Sequence, residues 1–161
     1  MSSSDDYEIL AVRTDLIDSI WPHVAPLFQK PVDLSHDRLS LDDILEGAKA
    51  DEYLIWLVTH KNDGIVAALT TRISAYPKRL ALSIDFVGGS QMSGWLATAL
   101  EALEAHARRN NCTLIEGFGR PAWGRVLARF NWHPAYTVYH LDLDAHVQGQ
   151  EAKDNRHADD D

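Results

Sequence analysis

The chain has 161 residues, of which 45% are hydrophobic and 24% charged, proportions typical of one soluble globular domain. Its formal charge of −9 argues against a nucleic-acid partner, and its one cysteine, Cys112, excludes an internal disulfide and a cysteine metal cluster. Because the sequence shows no signal-peptide pattern and no apolar run long enough to cross a bilayer, we expect a cytoplasmic protein that does not engage membranes.

The net negative charge is concentrated near the two ends of the chain. Residues 144–161 carry six acidic and two basic side chains and few apolar ones. Such a composition cannot bury enough apolar surface to fold. We therefore predict a single domain over residues 7–143, preceded by a disordered segment, residues 1–6, and followed by a disordered acidic tail, residues 144–161.

The predicted domain opens with a strand and a proline-containing helix. Residues 7–12 read as the strand, and an apolar stripe at helical spacing follows from Thr14 to Pro31. Pro22 and Pro26 lie inside this stripe. Because proline removes a helical hydrogen bond, we expect the helix to be kinked or split in two, and to end at Pro31.

A second helix and three antiparallel strands are predicted next. Ser40, followed by two aspartates, has the pattern of a helix start, and the helix is expected to end near Lys49. The Asp63–Gly64 pair indicates a tight hairpin turn. The three strands are predicted over residues 53–59, 65–74 and 80–87.

Residues 80–118 predict a strand, a turn, a long helix and a second strand. Apolar residues alternate along residues 80–87, and Gly88–Gly89 is expected to end that strand. The helix is predicted from about Ser93 to Asn110, and the next strand over residues 113–118. A crossover of this length makes the two strands parallel neighbours.

A short helix and a last strand complete the predicted domain. Pro121 fits the first position of the helix, which closes at Asn131–Pro134. Residues 135–143 alternate in the manner of a strand.

The predicted helix over residues 93–110 has no acid at its start. Basic residues occupy its last turn, as the macrodipole favours, whereas its first turn, Ser93–Leu96, has no Asp or Glu. Backbone amides at such a start favour a phosphate or pyrophosphate. The alternative is that Ser90 or Ser93 is simply an N-cap and the two glycines simply form a turn.

The order of elements, with a glycine turn before the third helix, resembles the GNAT (Gcn5-related N-acetyltransferase) superfamily over residues 7–143. The resemblance implies an α+β fold with a splayed mixed sheet, antiparallel through the first four strands and parallel across the crossover. It also implies that acetyl-CoA lies in the split between those two parallel strands. Three short segments look more like the divergent GNAT-like proteins of bacteriophages and prophages: Ile20–Pro22, Gly119–Trp123 and Phe130–Trp132.

The resemblance also implies where the cofactor would bind. The superfamily's pyrophosphate signature is Gln or Arg, two residues, Gly, one residue, then Gly or Ala. Gln91 and Gly94 fit its first half, but Leu96 stands at the final small position, where it could crowd the diphosphate, unless Gly88–Gly89 provides room. The cofactor-binding candidates are Phe86, Val87, Gly88, Gly89, Gln91, Ser93, Gly94, Trp95 and Arg120.

A second departure concerns the chemistry. Many members of the superfamily use a tyrosine on the short helix to protonate the departing thiolate, and Leu127 stands at that position here. Tyr136, Tyr139 or ordered water would have to take its place. Asp85 and Glu116, on the two strands that flank the split, are the candidate general bases.

Two functions are compatible with these residues. The first is an acetyl-CoA-dependent N-acyltransferase that acts on a small amine or on an amine of a protein. The second is a catalytically silent protein on the same fold, such as a phage accessory or virion-assembly component, with or without CoA binding, as a homodimer or with a phage partner. The eight histidines show no ligand spacing, so no metal site is predicted.

Overall fold

The computed structural model describes residues 3–144 of the chain. It divides into two compact units, Met1–Pro121 and Ala122–Asp161. Residues 145–161, most of the segment for which a disordered tail is predicted, lie outside the described residues. The division of the chain into a short leading segment, a domain and a tail stays a prediction.

The first unit is built on one five-stranded sheet with the strand order β1-β2-β3-β4-β5. The pairs from β1 to β4 are antiparallel, and β4 and β5 are parallel. This confirms the predicted α+β architecture. The strands are β1 Tyr7–Ala11, β2 Leu54–His60, β3 Gly64–Ala75, β4 Leu80–Gly89 and β5 Cys112–Gly117.

The described residues contain four α-helices and two single 3₁₀ turns, and the last of these helices belongs to the second unit. The second helix begins as predicted, because Ser40 and Asp43 form a reciprocal capping box. One 3₁₀ turn lies just before β1, where Ser3 caps it. The helices are α1 Ile17–Asp33, α2 Leu41–Lys49, α3 Met92–Arg109 and α4 Trp123–Ala128, and the 3₁₀ turns are Ser4–Asp6 and Thr14–Leu16.

Helices α1 and α2 cover one face of the sheet. Val24, Phe28 and Ile44 are completely buried there, against strand residues that include Ile55 and Leu57. Burying a side chain of this size contributes about 1.5–3 kcal/mol. This cluster fixes α1 across β3 and β4.

Helix α3 covers the opposite face. Trp56 lies between Ile55 and Leu57 in β2, so its side chain points away from α1 and α2. Its ring meets the edge of His106 in α3 at a centroid distance of 5.1 Å, and its indole N–H donates to Thr71 Oγ1 at 2.9 Å. The sheet of the first unit is therefore covered on both faces at β2.

Helix α1 is one continuous element, so of the two expected outcomes, a kink or a split, the split is wrong, and so is the expected end at Pro31. Pro22, Pro26 and Pro31 all lie inside it, and it ends at Asp33. Each proline removes one amide donor, but the buried stripe of Ile17, Val24 and Phe28 holds the whole helix against the sheet. Packing outweighs the lost backbone hydrogen bonds.

Strand β4 is longer than predicted, because Gly88 and Gly89 belong to it. They pair with Ala68 and Ala67 of β3. The antiparallel partner continues past the predicted end and supplies the hydrogen bonds that keep the glycines extended.

The second unit begins with α4, which ends in a left-handed residue. Asn131 has a φ of 66°, and the Trp132 amide donates to the Leu127 carbonyl at 3.2 Å. This is the hydrogen bond of a Schellman cap. The last predicted strand is wrong: residues 132–142 form neither helix nor strand. An alternating pattern becomes a strand only where a neighbouring strand pairs with it.

None of the helices in the part of the chain that the structure describes is long and apolar enough to cross a membrane.

Candidate active site where β4 and β5 separate

The parallel pairing of β4 and β5 stops halfway along β4. The last registered pair is Ile84 with Gly117, where β5 ends. Strand β4 continues through Asp85–Gly89. Over this stretch, the edge of β4 that faces β5 pairs with no strand among the described residues.

A bulge in β4 lies at the same point. Thr71 pairs with Ile84 and Thr70 with Phe86, so Asp85 has no residue opposite it in β3. The Phe86 amide donates to Thr70 Oγ1 at 3.2 Å. Bulges of this kind bend a strand and re-aim a side chain. Here the bulge sets the direction of Asp85.

Asp85 is a mostly buried carboxylate with an arginine partner. Its side chain is 9% exposed, and Arg72 Nε lies 3.0 Å from Oδ2 and 3.3 Å from Oδ1. Burial raises the pKa of Asp85, the charge and hydrogen bond of Arg72 lower it, and the charge of Glu116 raises it further, with a net upward shift. Asp85 is thus held between two opposing influences.

Glu116 lies across from Ser83 in the register of β4 and β5. Its Oε1 accepts a hydrogen bond from the Tyr76 hydroxyl and another from Ser83 Oγ at 3.3 Å. Because Glu116 pairs with Ser83, two residues before Asp85 on β4, the structure places the two predicted bases on neighbouring strands at the point where these strands part.

Tyr53 lies beside this pair, just before β2. Its ring packs edge-on against Phe86, with a centroid distance of 6.4 Å. Burial, followed by the charge of Asp85, raises the pKa of Tyr53. The hydroxyl therefore stays protonated at neutral pH.

A groove of about 470 Å³ adjoins Arg72 and Tyr53. Asp51 and Glu52 lie on its wall, and His106 of α3 closes another side. Burial lowers the pKa of His106, which favours the neutral ring. The fixed charges of the groove are therefore mainly negative.

The start of α3 differs from both serine-capped alternatives. The N-cap is Gln91, in the left-handed conformation with a φ of 60°, and its side chain makes no capping bond. Instead Gln91 Oε1 accepts from the Tyr7 hydroxyl at 2.7 Å, and Nε2 donates to Asp63 at 2.9 Å. The first turn of α3 has no acidic residue.

Two bulky residues of this turn point into the core. Trp95 is 3% and Leu96 8% exposed, and the Trp95 indole N–H donates to the Ser90 carbonyl at 2.8 Å. Leu96 therefore packs inside the protein. Gly94 packs against Tyr7. A Cβ at this position would lie 2.6 Å from the Tyr7 hydroxyl oxygen, so a larger residue would clash with it.

The two glycines at the end of β4 serve close packing. A Cβ on Gly88 would lie 1.8 Å from the Leu27 carbonyl oxygen of α1, and one on Gly89 2.3 Å from the Val66 carbonyl oxygen of β3. Gly89 also has a φ of 126°. The space beside both glycines is thus filled by neighbouring backbone.

The remaining predicted residues lie in different places. Val87 is half-buried and Ser93 exposed in the first unit, and Arg120 is exposed near its end. Tyr136 belongs to the second unit and is 66% exposed. Their proposed roles stay predictions.

The sequence reasoning missed the partners of the two carboxylates: Arg72, Ser83, Tyr76 and Tyr53. The short turn between β3 and β4 could have indicated that Arg72 and Ser83 lie near Asp85. That turn sets the register in which Arg72 faces Ser83, two residues before Asp85. Across residues 3–144, no three His, Cys, Asp or Glu side chains are grouped to hold a metal ion.

Comparison with known proteins shows the fold. No protein-family profile and no curated protein matches the sequence. A possible acetyltransferase from Clostridium difficile superposes with a TM-score of 0.61 at 16% identity, covering 85% of this chain and 97% of the other. A Staphylococcus aureus GNAT family acetyltransferase gives 0.58 at 14%, covering 86% and 99%.

A third similar structure was solved with a bound ligand. It is an aminoglycoside acetyltransferase from an uncultured soil metagenomic sample, in complex with sisomicin, with a TM-score of 0.62 at 10% identity, covering 86% of this chain and 97% of the other. These proteins are acetyltransferases, and the chain has the GNAT acetyltransferase fold.

Proposed function

We propose that this chain is a cytoplasmic N-acyltransferase that transfers an acetyl group from acetyl-CoA to a primary amine of a small molecule or a protein. The observation that carries the proposal is the pair of carboxylates, Asp85 and Glu116, at the point where β4 and β5 separate. The shared fold with acetyltransferases supports it.

The residues present fit acetyl-CoA in two respects. The free edge of β4 over Asp85–Gly89 offers backbone donors and acceptors to an extended chain. The first turn of α3 has neither an acid nor a side-chain cap, so its amides suit a pyrophosphate. Gln91 holds the Asp63 carboxylate near this turn, where its negative charge would weaken the binding of an anion.

The chain's own residues would prepare the amine. An alkylammonium must lose a proton before it can attack, and a carboxylate at the strand separation can accept that proton. The thioester then supplies the acetyl carbon, to which the amine nitrogen bonds as the carbon–sulfur bond breaks and the thiol leaves. The acidic wall of the groove, Asp51 and Glu52, favours a cationic acceptor.

Some contacts favour the second candidate, a catalytically silent protein such as a phage accessory or virion-assembly component. The Gln91 side chain is already bonded to Tyr7 and Asp63. Leu127 lies on α4 and cannot donate a proton. Such a protein would keep the fold and act through a surface, as a homodimer or with a phage partner.

Binding and turnover separate the two candidates. Acetyl-CoA at 100 times its Kd should stabilise the protein by about 2.7 kcal/mol in a thermal or denaturant titration. With a panel of amines and diamines, thiol release should then be observed, and Glu116→Gln should reduce kcat by about 100-fold or more. Glu104→Gln, at an exposed surface pair with Arg108, is the matched control.

Two other outcomes of these measurements would each favour a protein without acyltransferase activity. Acetyl-CoA binding without thiol release from any amine would favour a protein that senses the cofactor. No binding at millimolar acetyl-CoA would favour the silent scaffold.

A further inference from the structure

We propose that Tyr76 and Ser83 are positioning residues that fix the Glu116 carboxylate through Oε1, so that Oε2 accepts the proton of the incoming amine, and that Glu116 rather than Asp85 is the general base. This inference rests on the acyltransferase function proposed above. It assigns different roles to two carboxylates that the sequence cannot tell apart.

Asp85 is engaged on both oxygens. Arg72 Nε lies 3.0 and 3.3 Å from them, and the side chain is 9% exposed. Proton uptake by Asp85 would remove the counter-charge of Arg72 and weaken a charge-assisted hydrogen bond in a shielded place. Asp85 therefore acts as the anchor of Arg72 and as a fixed negative charge beside Glu116.

Glu116 is engaged on one oxygen only. Both of its donors, the Tyr76 hydroxyl and Ser83 Oγ, reach Oε1. Within residues 3–144, no hydrogen bond to Oε2 is present. Glu116 is half-buried, so its second oxygen is the free acceptor at the strand separation.

The donors come from two elements, which makes the orientation rigid. Tyr76 lies on the turn between β3 and β4, and Ser83 in β4 itself. Ser83 Oγ also lies 2.9 Å from Ser74 Oγ. A hydroxyl has one proton, so if Ser83 donates to Glu116, Ser74 must donate to Ser83. The hydrogen bonds then run in one direction, from Ser74 through Ser83 to Glu116.

This arrangement defines the proton balance of the reaction. The ammonium group of the acceptor gives one proton to Glu116 Oε2 and becomes the free amine. The amine nitrogen bonds to the acetyl carbon while the carbon–sulfur bond breaks, and the second nitrogen proton leaves with the thiol. The proton on Glu116 passes to water before the next turnover. Tyr76 and Ser83 keep their own protons throughout.

The test compares Tyr76→Phe and Ser83→Ala with the full-length wild type. Each variant loses one hydrogen bond to a charged oxygen, for which we expect kcat to fall about tenfold. KM for the amine and the Kd of acetyl-CoA, measured by calorimetry, should change less than twofold. Ser19→Ala, at an exposed hydroxyl of α1 that donates to the Leu16 carbonyl, is the matched control and should leave kcat unchanged.

A double-mutant cycle distinguishes positioning from a merely structural role. In a Glu116→Gln background, Tyr76→Phe should cause no further loss, because its effect passes through the carboxylate. In an Asp85→Asn background it should still cost about tenfold. Additive losses with Glu116→Gln, or wild-type kcat in Tyr76→Phe, would overturn the inference and leave the acyltransferase proposal intact. Absence of thiol release from the wild type would overturn both.

Discussion

At Asp85 two physical effects act on one carboxylate in opposite directions. Burial disfavours the charged form and raises the pKa, while Arg72 favours it. Burial prevails, so the folded protein holds the Asp85 proton more tightly than the unfolded chain does. The charged form of Asp85 is therefore maintained at a cost in stability.

The sign of this cost can be tested with Asp85→Asn. The pKa of Asp85 in the folded protein lies above the reference value of 3.8. The contribution of Asp85 to the free energy of unfolding is therefore fully present below pH 3.8 and is lost as the pH rises through the raised pKa. We expect Asp85→Asn to unfold with a higher free energy than the wild type at pH 7, and the gain to vanish as the pH falls to 3.8. Urea titrations between pH 3.5 and 8 measure it.

Asp15→Asn is the control with the opposite sign. The hydrogen bond and charge of Arg13 lower the pKa of Asp15, so its stabilisation is present above 3.8 and lost as the pH falls. This variant should be slightly less stable than the wild type at pH 7. If Asp85→Asn behaved in the same way, the burial argument would be wrong.

At the scale of elements, α1 lies unusually close to β4. Pro31 has no amide proton, so the Leu27 carbonyl lacks its usual helical donor. A Cβ added to Gly88 would lie only 1.8 Å from the oxygen of that carbonyl. A proline in α1 and a glycine in β4 are thus two parts of one contact between helix and sheet.

This contact makes Gly88→Ala a severe substitution. The added methyl meets backbone, which cannot rotate away, and α1 must move from the sheet. We expect a loss of about 3 kcal/mol in the free energy of unfolding, measured by urea denaturation. Gly124→Ala in α4, where a Cβ has nothing within 4 Å, should instead gain about 0.5–1 kcal/mol. Equal effects at the two glycines would contradict the packing argument.

The elements themselves could be read from the sequence to a large extent. The three antiparallel strands β2 to β4, the parallel crossover and the Ser40 cap follow from periodicity and turn chemistry, whereas the place of β1 beside β2 was implied by the family resemblance. The sequence predicted that α1 would be kinked or split, and the split was wrong because local propensity was given more weight than burial. The strand over residues 135–143 was wrong because alternation alone does not provide a pairing partner.

The site could be predicted only in part. The sequence singled out Asp85 and Glu116 because both lie on the strands that flank the split, and their roles stay predictions. Their partners Arg72 and Tyr76 depend on the bulge and the hairpin register, which shift with a single residue. Nor does a sequence show that Gln91 would bond to Tyr7, 84 positions away.

At the scale of the whole molecule, the core belongs to the first unit. Among the described residues, every buried hydrophobic side chain lies at or before Cys112. All five strands also lie before Pro121. The first unit therefore contains the interactions expected to make folding cooperative.

We accordingly expect residues 1–121 to fold without the remainder of the chain. The fragment should unfold in one cooperative transition with a urea m-value of about 1–3 kcal/mol/M, monitored by circular dichroism beside the full chain. A broad transition, with strong dye binding to exposed apolar surface, would show instead that the core needs the residues that follow.

The connections between paired strands also set the order in which the sheet assembles. Strands β2, β3 and β4 are joined by residues 61–63 and 76–79, whereas β1 reaches its partner β2 only across residues 12–53. Closing the longer loop costs about 2 kcal/mol more chain entropy. The three central strands should form the folding nucleus, and β1 should pair with β2 only after the transition state. Substitutions at the β3–β4 hairpin should then slow refolding, and those in β1 should mainly hasten unfolding, in stopped-flow chevron plots; the reverse pattern would place the nucleus elsewhere.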